Sequence, residues 1–157
     1  MTNTYSVTCA NLEATEALAR KFSHLISQTG AFVCLYGDIG SGKTAFSKFA
    51  CKHLNVKEKV TSPSFVILNE YHSGKLPIYH FDLYRLETEG TKTILDELAE
   101  YSQGKILTLV EWAEFSDTQL PFDRIEIRID YIDDNTRTFN FSAFGEQNTK
   151  ILEELAK

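Results

Sequence analysis

The sequence predicts an α/β fold in three layers, with a mostly parallel sheet and an antiparallel margin at its C-terminal end. Two observations predict this class. Short apolar runs of strand length alternate along the chain with stretches whose apolar residues recur at helical spacing, which is typical of strand–helix–strand units. Near the C-terminus two strand-like runs follow each other across a short polar turn, which favours an antiparallel hairpin.

The first half of the chain contains a predicted helix, a buried strand and a second helix. The helix covers Asn11 to Ser27, with Asn11 as its N-cap and Gly30 beyond its end. Ala31 to Tyr36 is apolar throughout, which predicts a strand buried on both faces, as in a parallel sheet. A glycine-rich loop follows at once, and Thr44 to Leu54 has the apolar spacing of a helix.

The second half contains further strand-like runs, namely Phe65 to Leu68, Ile78 to Phe81, Ile106 to Val110 and Ile125 to Ile129. Only the last alternates cleanly between apolar and polar residues, which predicts an antiparallel or edge strand with one solvated face. We expect it to pair with Thr138 to Phe144 across the Asp133–Asn135 turn. Helical spacing around Ile94 to Tyr101 and over Glu146 to Ala156 predicts two more helices.

Length and composition indicate one globular domain covering residues 1–157, because no linker or repeat interrupts the 157 residues. No apolar stretch approaches the roughly 20 residues that span a bilayer, and the N-terminus lacks the pattern of a secretion signal, so we expect a cytoplasmic protein with no membrane partner. The three cysteines have no metal-binding spacing, and we expect buried thiols. With a net charge of −6 and no basic cluster, any contact with nucleic acid is expected to be indirect.

The glycine-rich loop Gly37-Asp38-Ile39-Gly40-Ser41-Gly42-Lys43-Thr44 has the spacing of a phosphate-binding loop. Its glycines let successive backbone N–H groups point at phosphate oxygens, and the following helix adds the partial positive charge of its N-terminus. Lys43 is predicted to reach the β- and γ-phosphates, and the Thr44 hydroxyl to ligate magnesium. The loop lies between a buried strand and a helix, which predicts a P-loop NTPase-like fold that binds a nucleoside triphosphate with Mg²⁺.

Two acidic residues follow strand-like runs and are candidates to complete a magnesium site. Ile106 to Val110 leads directly into Glu111, and Ile78 to Phe81 leads into Asp82. In open α/β sheets ligands bind at the carboxyl ends of the strands, whereas either acid alone could be a solvated strand end. We favour Glu111 as the magnesium carboxylate. Asp82 is then a candidate for orienting the attacking water or for supporting the site indirectly.

Other residues near these strands allow two interpretations each. Thr61 and Ser62 precede a proline and could form a segment that senses the γ-phosphate, or an ordinary turn into a strand. Arg85 could stabilise phosphate charge or form an ion pair with a nearby acid. Trp112 could belong to the core or to an interface. A lone histidine such as His80 at a strand end is more often structural than catalytic.

In this order, GDIGSGKT, TSPSF, HFDLYR and VEW resemble the motifs of the bacterial tRNA threonylcarbamoyladenosine biosynthesis ATPases, the TsaE family. The resemblance covers about Asn11 to Trp112. It implies an ATPase needed to attach threonylcarbamoyl to the adenosine next to the anticodon, which gives t6A. It also implies partner transferase proteins of the TsaD/TsaB type and indirect contact with tRNA. We expect slow turnover without those partners, because the site looks incomplete without contacts that a partner supplies.

The resemblance also assigns roles to individual residues. It implies that Lys43 binds phosphates, that Thr44 and Glu111 hold Mg²⁺, and that Asp82 is needed for hydrolysis. It implies that Thr15 lies near the nucleotide base. The remaining residues expected to contact the nucleotide are Gly37, Asp38, Gly40, Ser41, Gly42, Ala45, Thr61 and Ser62.

Two other functions fit a phosphate-binding loop. A small P-loop kinase of a nucleoside or metabolite would need clustered arginines in a lid, and Arg124, Arg128 and Arg137 are instead spaced along predicted strands. A nucleotide-gated binding module without catalysis fits the same motifs as an ATPase. A GTPase is disfavoured because the chain has neither an NKxD motif nor a DxxG motif.

Overall fold

The computed structural model describes residues 3–38, 40–60, 68–83, 104–111 and 120–157. Within these ranges the chain forms seven strands and three helices. In chain order they are β1 (Thr4–Cys9), α1 (Leu12–Ile26), β2 (Ala31–Tyr36), α2 (Lys43–His53), β3 (Leu68–Tyr71), β4 (Ile78–Asp82), β5 (Leu107–Glu111), β6 (Arg124–Tyr131), β7 (Arg137–Phe144) and α3 (Glu146–Leu155).

The seven strands form one mixed sheet in the order β1-β7-β6-β2-β5-β4-β3. The four central strands β6, β2, β5 and β4 are parallel, and β7 and β1 extend the sheet in antiparallel fashion on one side. This confirms the mostly parallel α/β sheet with an antiparallel C-terminal margin. The opposite edge is also antiparallel, because β3 pairs with β4 in that sense.

Three strands differ in detail from the prediction. β1 is absent from the predicted elements, and it pairs with β7 from Thr4 to Cys9. β6 is antiparallel to β7 as expected, but the expectation that it could be an edge strand is wrong, because its other side pairs with β2. β3 runs from Leu68 to Tyr71, so only the last residue of the predicted strand Phe65 to Leu68 lies within the described residues.

Both faces of β2 are buried, as its uninterrupted apolar sequence predicts. Val33 and Leu35 belong to the larger apolar cluster, which also contains residues of all three described helices, such as Phe22, Phe46 and Leu152. Phe32, Cys34 and Tyr36 belong to a second cluster on the other side, with residues of β4 and β5. The predicted helix around residues 94–101 lies outside the described residues. The helical layer that it is expected to form on this second face of the sheet therefore also lies outside them.

A local sequence signal accounts for the start of α1. The Asn11 side chain accepts a hydrogen bond from the Ala14 backbone N–H at 2.8 Å, which caps α1 as predicted.

All three cysteines, Cys9, Cys34 and Cys51, are buried and none forms a disulfide, which confirms the expected thiols. In the described part of the chain, no helix combines the length and apolar character needed to cross a membrane.

Candidate nucleotide-binding site

The glycine-rich loop connects the carboxyl end of β2 to the N-terminus of α2. The Ser41 N–H donates to the Asp38 carbonyl at 3.0 Å, and the Phe46 N–H donates to the Gly42 carbonyl at 2.9 Å, which starts the helix. Gly42, the N-cap residue of α2, has φ 113°, a left-handed conformation that favours glycine. The loop therefore leads its backbone directly into a helix N-terminus, where an anion is stabilised. Ile39 lies outside the described residues.

Gly37 is constrained by close packing. A Cβ at this position would lie 2.5 Å from the Ser41 hydroxyl oxygen and 2.7 Å from the carbonyl oxygen of Ile129 on β6. Neither distance is compatible with a side chain, and the carbonyl belongs to the backbone of a central strand. The first glycine of the loop is therefore required by the approach of β6.

Lys43 is the first residue of α2 and is almost completely buried. Its Nζ donates a hydrogen bond to the Gly37 carbonyl oxygen, so the ammonium group folds back over the loop. A bound phosphate would compete with this carbonyl for the same donor. Thr44 is the next residue of the helix, and its side chain lines the adjacent cavity together with that of Lys43.

The two predicted carboxylates lie side by side. Asp82 on β4 and Glu111 on β5 are direct partners in the parallel register, and they are 3% and 2% exposed. The Leu83 N–H donates to the Glu111 carbonyl at 3.0 Å, which continues the pairing past the strand end. His80 Nε2 lies 2.5 Å from Glu111 Oε2. The prediction that both acids lie together at the carboxyl ends of neighbouring parallel strands is correct.

A cavity of about 480 Å³ lies between the loop and these carboxylates, within the usual size range of small-molecule sites. Most of the predicted site residues line it: Thr15, Asp38, Gly40, Gly42, Lys43, Thr44, Ala45, Asp82 and Glu111. Gly37 and Ser41 belong to the loop but do not line the cavity. Thr61, Ser62, Arg85 and Trp112 lie outside the described residues.

The wall near the N-terminus of α1 is largely apolar. Thr15 is buried, and its hydroxyl lies 3.4 Å from the Asn11 carbonyl oxygen, within its own helix. Leu12, which is 66% exposed, and Phe139 of β7 line the same cavity. This wall therefore presents apolar atoms, which suit the face of a planar ring rather than a phosphate.

Arg137 is a site residue that the sequence patterns do not indicate. Its Nε donates to the Ser41 carbonyl at 2.9 Å and its Nη2 to the Gly40 carbonyl at 3.3 Å, while Nη1 donates to the Asp133 carbonyl at 2.5 Å. Its guanidinium also lies 4.6 Å from the centre of the Tyr131 ring. Arg137 thus connects the β6–β7 hairpin to the glycine-rich loop.

Two more hairpin residues, Asp134 and Asn135, line the cavity with Arg137. Local spacing could not reveal this, because Arg137 and Ser41 are 96 residues apart in the chain. Their contact depends on the pairing of β6 with β2, which brings the hairpin beside the loop.

The donors at the site suit magnesium and phosphate. The cavity-lining side chains that could bind a metal offer oxygen, from the Thr44 hydroxyl and from four carboxylates, namely Asp38, Asp82, Glu111 and Asp134. Hard oxygen ligands are those that Mg²⁺ prefers. In the described ranges, no three His, Cys, Asp or Glu side chains gather into a metal centre of their own. This donor set fits an ion that completes its shell with phosphate oxygens and water.

Comparison with known proteins agrees with the four motifs. A family model described as threonylcarbamoyl adenosine biosynthesis protein TsaE matches residues 9–139. A Bacillus subtilis (strain 168) tRNA threonylcarbamoyladenosine biosynthesis protein TsaE is 40% identical over 147 residues, covering 94% of this chain and 90% of the relative. A Haemophilus influenzae protein of the same name is 31% identical, covering 73% of this chain and 75% of the relative.

A solved structure is also similar. The crystal structure of Bacillus subtilis YdiB superposes with a TM-score of 0.80 at 33% sequence identity, covering 99% of this chain and 96% of the other. The similarity extends over the sheet, the loop and the hairpin alike, since it leaves almost none of the chain out. The chain belongs to the threonylcarbamoyl adenosine biosynthesis protein TsaE family.

Proposed function

We propose that this chain is a single-domain P-loop ATPase that acts in the biosynthesis of t6A, the modified adenosine next to the anticodon of tRNA. The observation that carries the proposal is the convergence of Lys43, Thr44, Asp82 and Glu111 on one cavity in a member of the TsaE family. The first two come from the phosphate loop and the last two from strand ends, which is the arrangement that P-loop NTPases use for hydrolysis.

Phosphate binding follows from the loop and from α2. Backbone N–H groups of the loop and the helix N-terminus stabilise the negative charge of the triphosphate. The Lys43 ammonium exchanges its hydrogen bond with the Gly37 carbonyl for phosphate oxygens, which carry a full negative charge and are stronger acceptors. The internal hydrogen bond keeps this buried cation paired until the nucleotide arrives.

Thr44 and Glu111 are the residues that would hold Mg²⁺, and the ion would neutralise charge on the β- and γ-phosphates. Glu111 is suited to this role because it is buried at the strand end and directed into the cavity. Asp82, its neighbour in the register, accepts a hydrogen bond from the water that attacks the γ-phosphate and so orients it.

The base and ribose lie farther from the carboxylates in this proposal. Leu12 and Thr15 supply an apolar wall for the base, while Asp134, Asn135 and Arg137 of the hairpin also border the cavity. The loop carbonyls that Arg137 holds belong to Gly40 and Ser41, so this arginine acts on the nucleotide by shaping the loop. Thr61 and Ser62 are assigned to a segment that responds to the γ-phosphate.

The chain is proposed to work in the cytoplasm with transferase partner proteins of the TsaD/TsaB type, which bind the tRNA. Its net charge of −6 opposes direct binding to a polyanion, because such binding relies on basic residues that displace counterions. Without partners we expect slow hydrolysis.

Reconstitution tests this function. The chain is added with ATP and Mg²⁺ to the partner pair, tRNA and the threonylcarbamoyl donor, and modified adenosine is measured after nuclease digestion. We expect t6A to form with the wild-type chain and not with Lys43→Ala. Normal t6A formation with Lys43→Ala would refute the role of the loop, and a phosphorylated small molecule as product would indicate a kinase instead.

A further inference from the structure

His80 is a buried histidine to which the proposed function gives no role. It lies on β4 two residues before Asp82, so the two side chains share one face of the sheet. The parallel register of β4 with β5 places Asp82 opposite Glu111, and it places His80 opposite Leu109. His80 is fully buried, which separates it from the surface histidines His24 and His72.

The contact of His80 with Glu111 is short and shielded from water. Nε2 lies 2.5 Å from Oε2, and the two side chains are 1% and 3% exposed. A carboxylate that binds a metal is deprotonated and can only accept, so in that state His80 Nε2 is the donor. In the part of the chain that the structure describes, His80 is the only side chain that hydrogen-bonds the Glu111 carboxylate.

The nitrogen that makes this contact is not available as a metal ligand. Nε2 is occupied by Glu111, and Nδ1 is buried with no hydrogen-bond partner among the described residues. His80 is also absent from the residues that line the cavity, whereas Glu111 is one of them. The imidazole therefore contacts the carboxylate from the side away from the cavity.

We propose that His80 is a positioning residue: it holds Oε2 of Glu111 and so fixes the carboxylate in the orientation that binds the nucleotide's magnesium. This inference rests on the proposed magnesium role of Glu111. Groups that hydrogen-bond metal-binding side chains in this way commonly contribute 10–100-fold to metal affinity or activity, because an unsupported ligand rotates between orientations. The same residue gives the buried carboxylate the hydrogen bond that it needs.

The test compares variants that keep or remove a donor at the Nε2 position. His80→Gln places an amide N–H near Nε2, whereas His80→Asn carries its amide at the Nδ1 position, too far from Glu111. Affinity for a fluorescent ATP analogue is measured without magnesium and during a magnesium titration. For His80→Asn we expect Mg²⁺-free affinity within about twofold of wild type and a half-saturating Mg²⁺ concentration about 10–100-fold higher. The half-saturating Mg²⁺ concentration of His80→Gln is expected to lie between those of the wild type and His80→Asn.

A purely structural role gives a different result. It would reduce Mg²⁺-free and Mg²⁺-dependent binding equally, and that outcome, or an unchanged magnesium titration in His80→Asn, would overturn the inference. His80→Leu is a second variant without the donor, and it replaces His80→Asn in the comparison should the latter not fold in a thermal melt.

Glu111→Gln separates failure of this inference from failure of the proposed function. If Glu111→Gln loses the magnesium effect and His80→Asn keeps it, only the role of His80 is refuted. If wild type and Glu111→Gln respond equally to magnesium, the proposed role of Glu111 is refuted and the inference fails with it. When both variants are combined, His80→Asn should cause no further change in the magnesium titration, because it acts through the carboxylate.

Discussion

Replacing Arg137 tests whether the β6–β7 hairpin shapes the phosphate loop. Arg137→Ala removes two hydrogen bonds from a cation to loop carbonyls, at 2.9 Å from Ser41 and 3.3 Å from Gly40. At about 1.5 kcal/mol each, the low end for a charged donor because the site is partly exposed, they amount to about 3 kcal/mol. If about half of this stabilises the loop conformation that binds the nucleotide, the lost ~1.5 kcal/mol weakens nucleotide binding about tenfold.

The assay is an equilibrium titration with a fluorescent ATP analogue in the presence of Mg²⁺. Arg128→Ala is the matched control, since it removes the same charge from the neighbouring strand, where Arg128 lies 5.3 Å from the Tyr36 ring centre and does not line the cavity. Arg137→Lys keeps the charge but loses the planar fork, and we expect it to restore little affinity. Equal binding by Arg137→Ala and Arg128→Ala would refute the role of Arg137, and full recovery by lysine would show that charge alone matters.

Three further predictions concern the carboxylates and the cysteines. Glu111→Ala should weaken magnesium-dependent activity far more than magnesium-free nucleotide binding, and equal losses in the two assays would argue that Glu111 is structural. Asp82→Asn should keep nucleotide affinity within a few fold while lowering hydrolysis at least 100-fold, because a lost catalytic contact of this kind typically costs 10²–10⁴; retained turnover would remove Asp82 from the mechanism. Burial, with a smaller contribution from the charge of Glu58, raises the pKa of Cys51 to about 12. At pH 8 the Cys51 thiolate is then about 1000-fold scarcer than that of an ordinary thiol. Because all three cysteines are buried, iodoacetamide should label none of them in the native chain and all three in denaturant. Rapid labelling of the native chain would contradict the buried positions.

Signals within a few residues of one another predicted most of the central sheet and the loop. The apolar run of β2, the loop spacing and the helix pattern of α2 are contiguous in the chain, so each element supports the assignment of the next. Asp82 and Glu111 were predicted at the site because each ends an apolar run, and parallel strands end at the same edge of a sheet. The physical reason is that each of these features is specified by a short, contiguous stretch of residues.

Features that depend on distant pairing were not predictable in the same way. Arg137 reaches the loop only because β6 pairs with β2, and one-dimensional spacing does not specify that neighbour. β1 has a weak signal of its own, since Tyr5, Val7 and Cys9 alternate with polar residues, but its half-exposed pattern covers only six residues. The sequence favours a structural role for His80, as for any lone histidine at a strand end, because it does not specify the register that brings His80 to Glu111.

Phosphate release from ATP tests the central claim most directly, namely that the loop and the two carboxylates form a site that hydrolyses ATP. The wild-type chain and Lys43→Ala are each measured with Mg²⁺, alone and with the transferase partner pair. We predict slow release by the wild-type chain, a clear increase when the partners are present, and background rates for Lys43→Ala in both conditions. Equal rates for Lys43→Ala and the wild-type chain would contradict the claim.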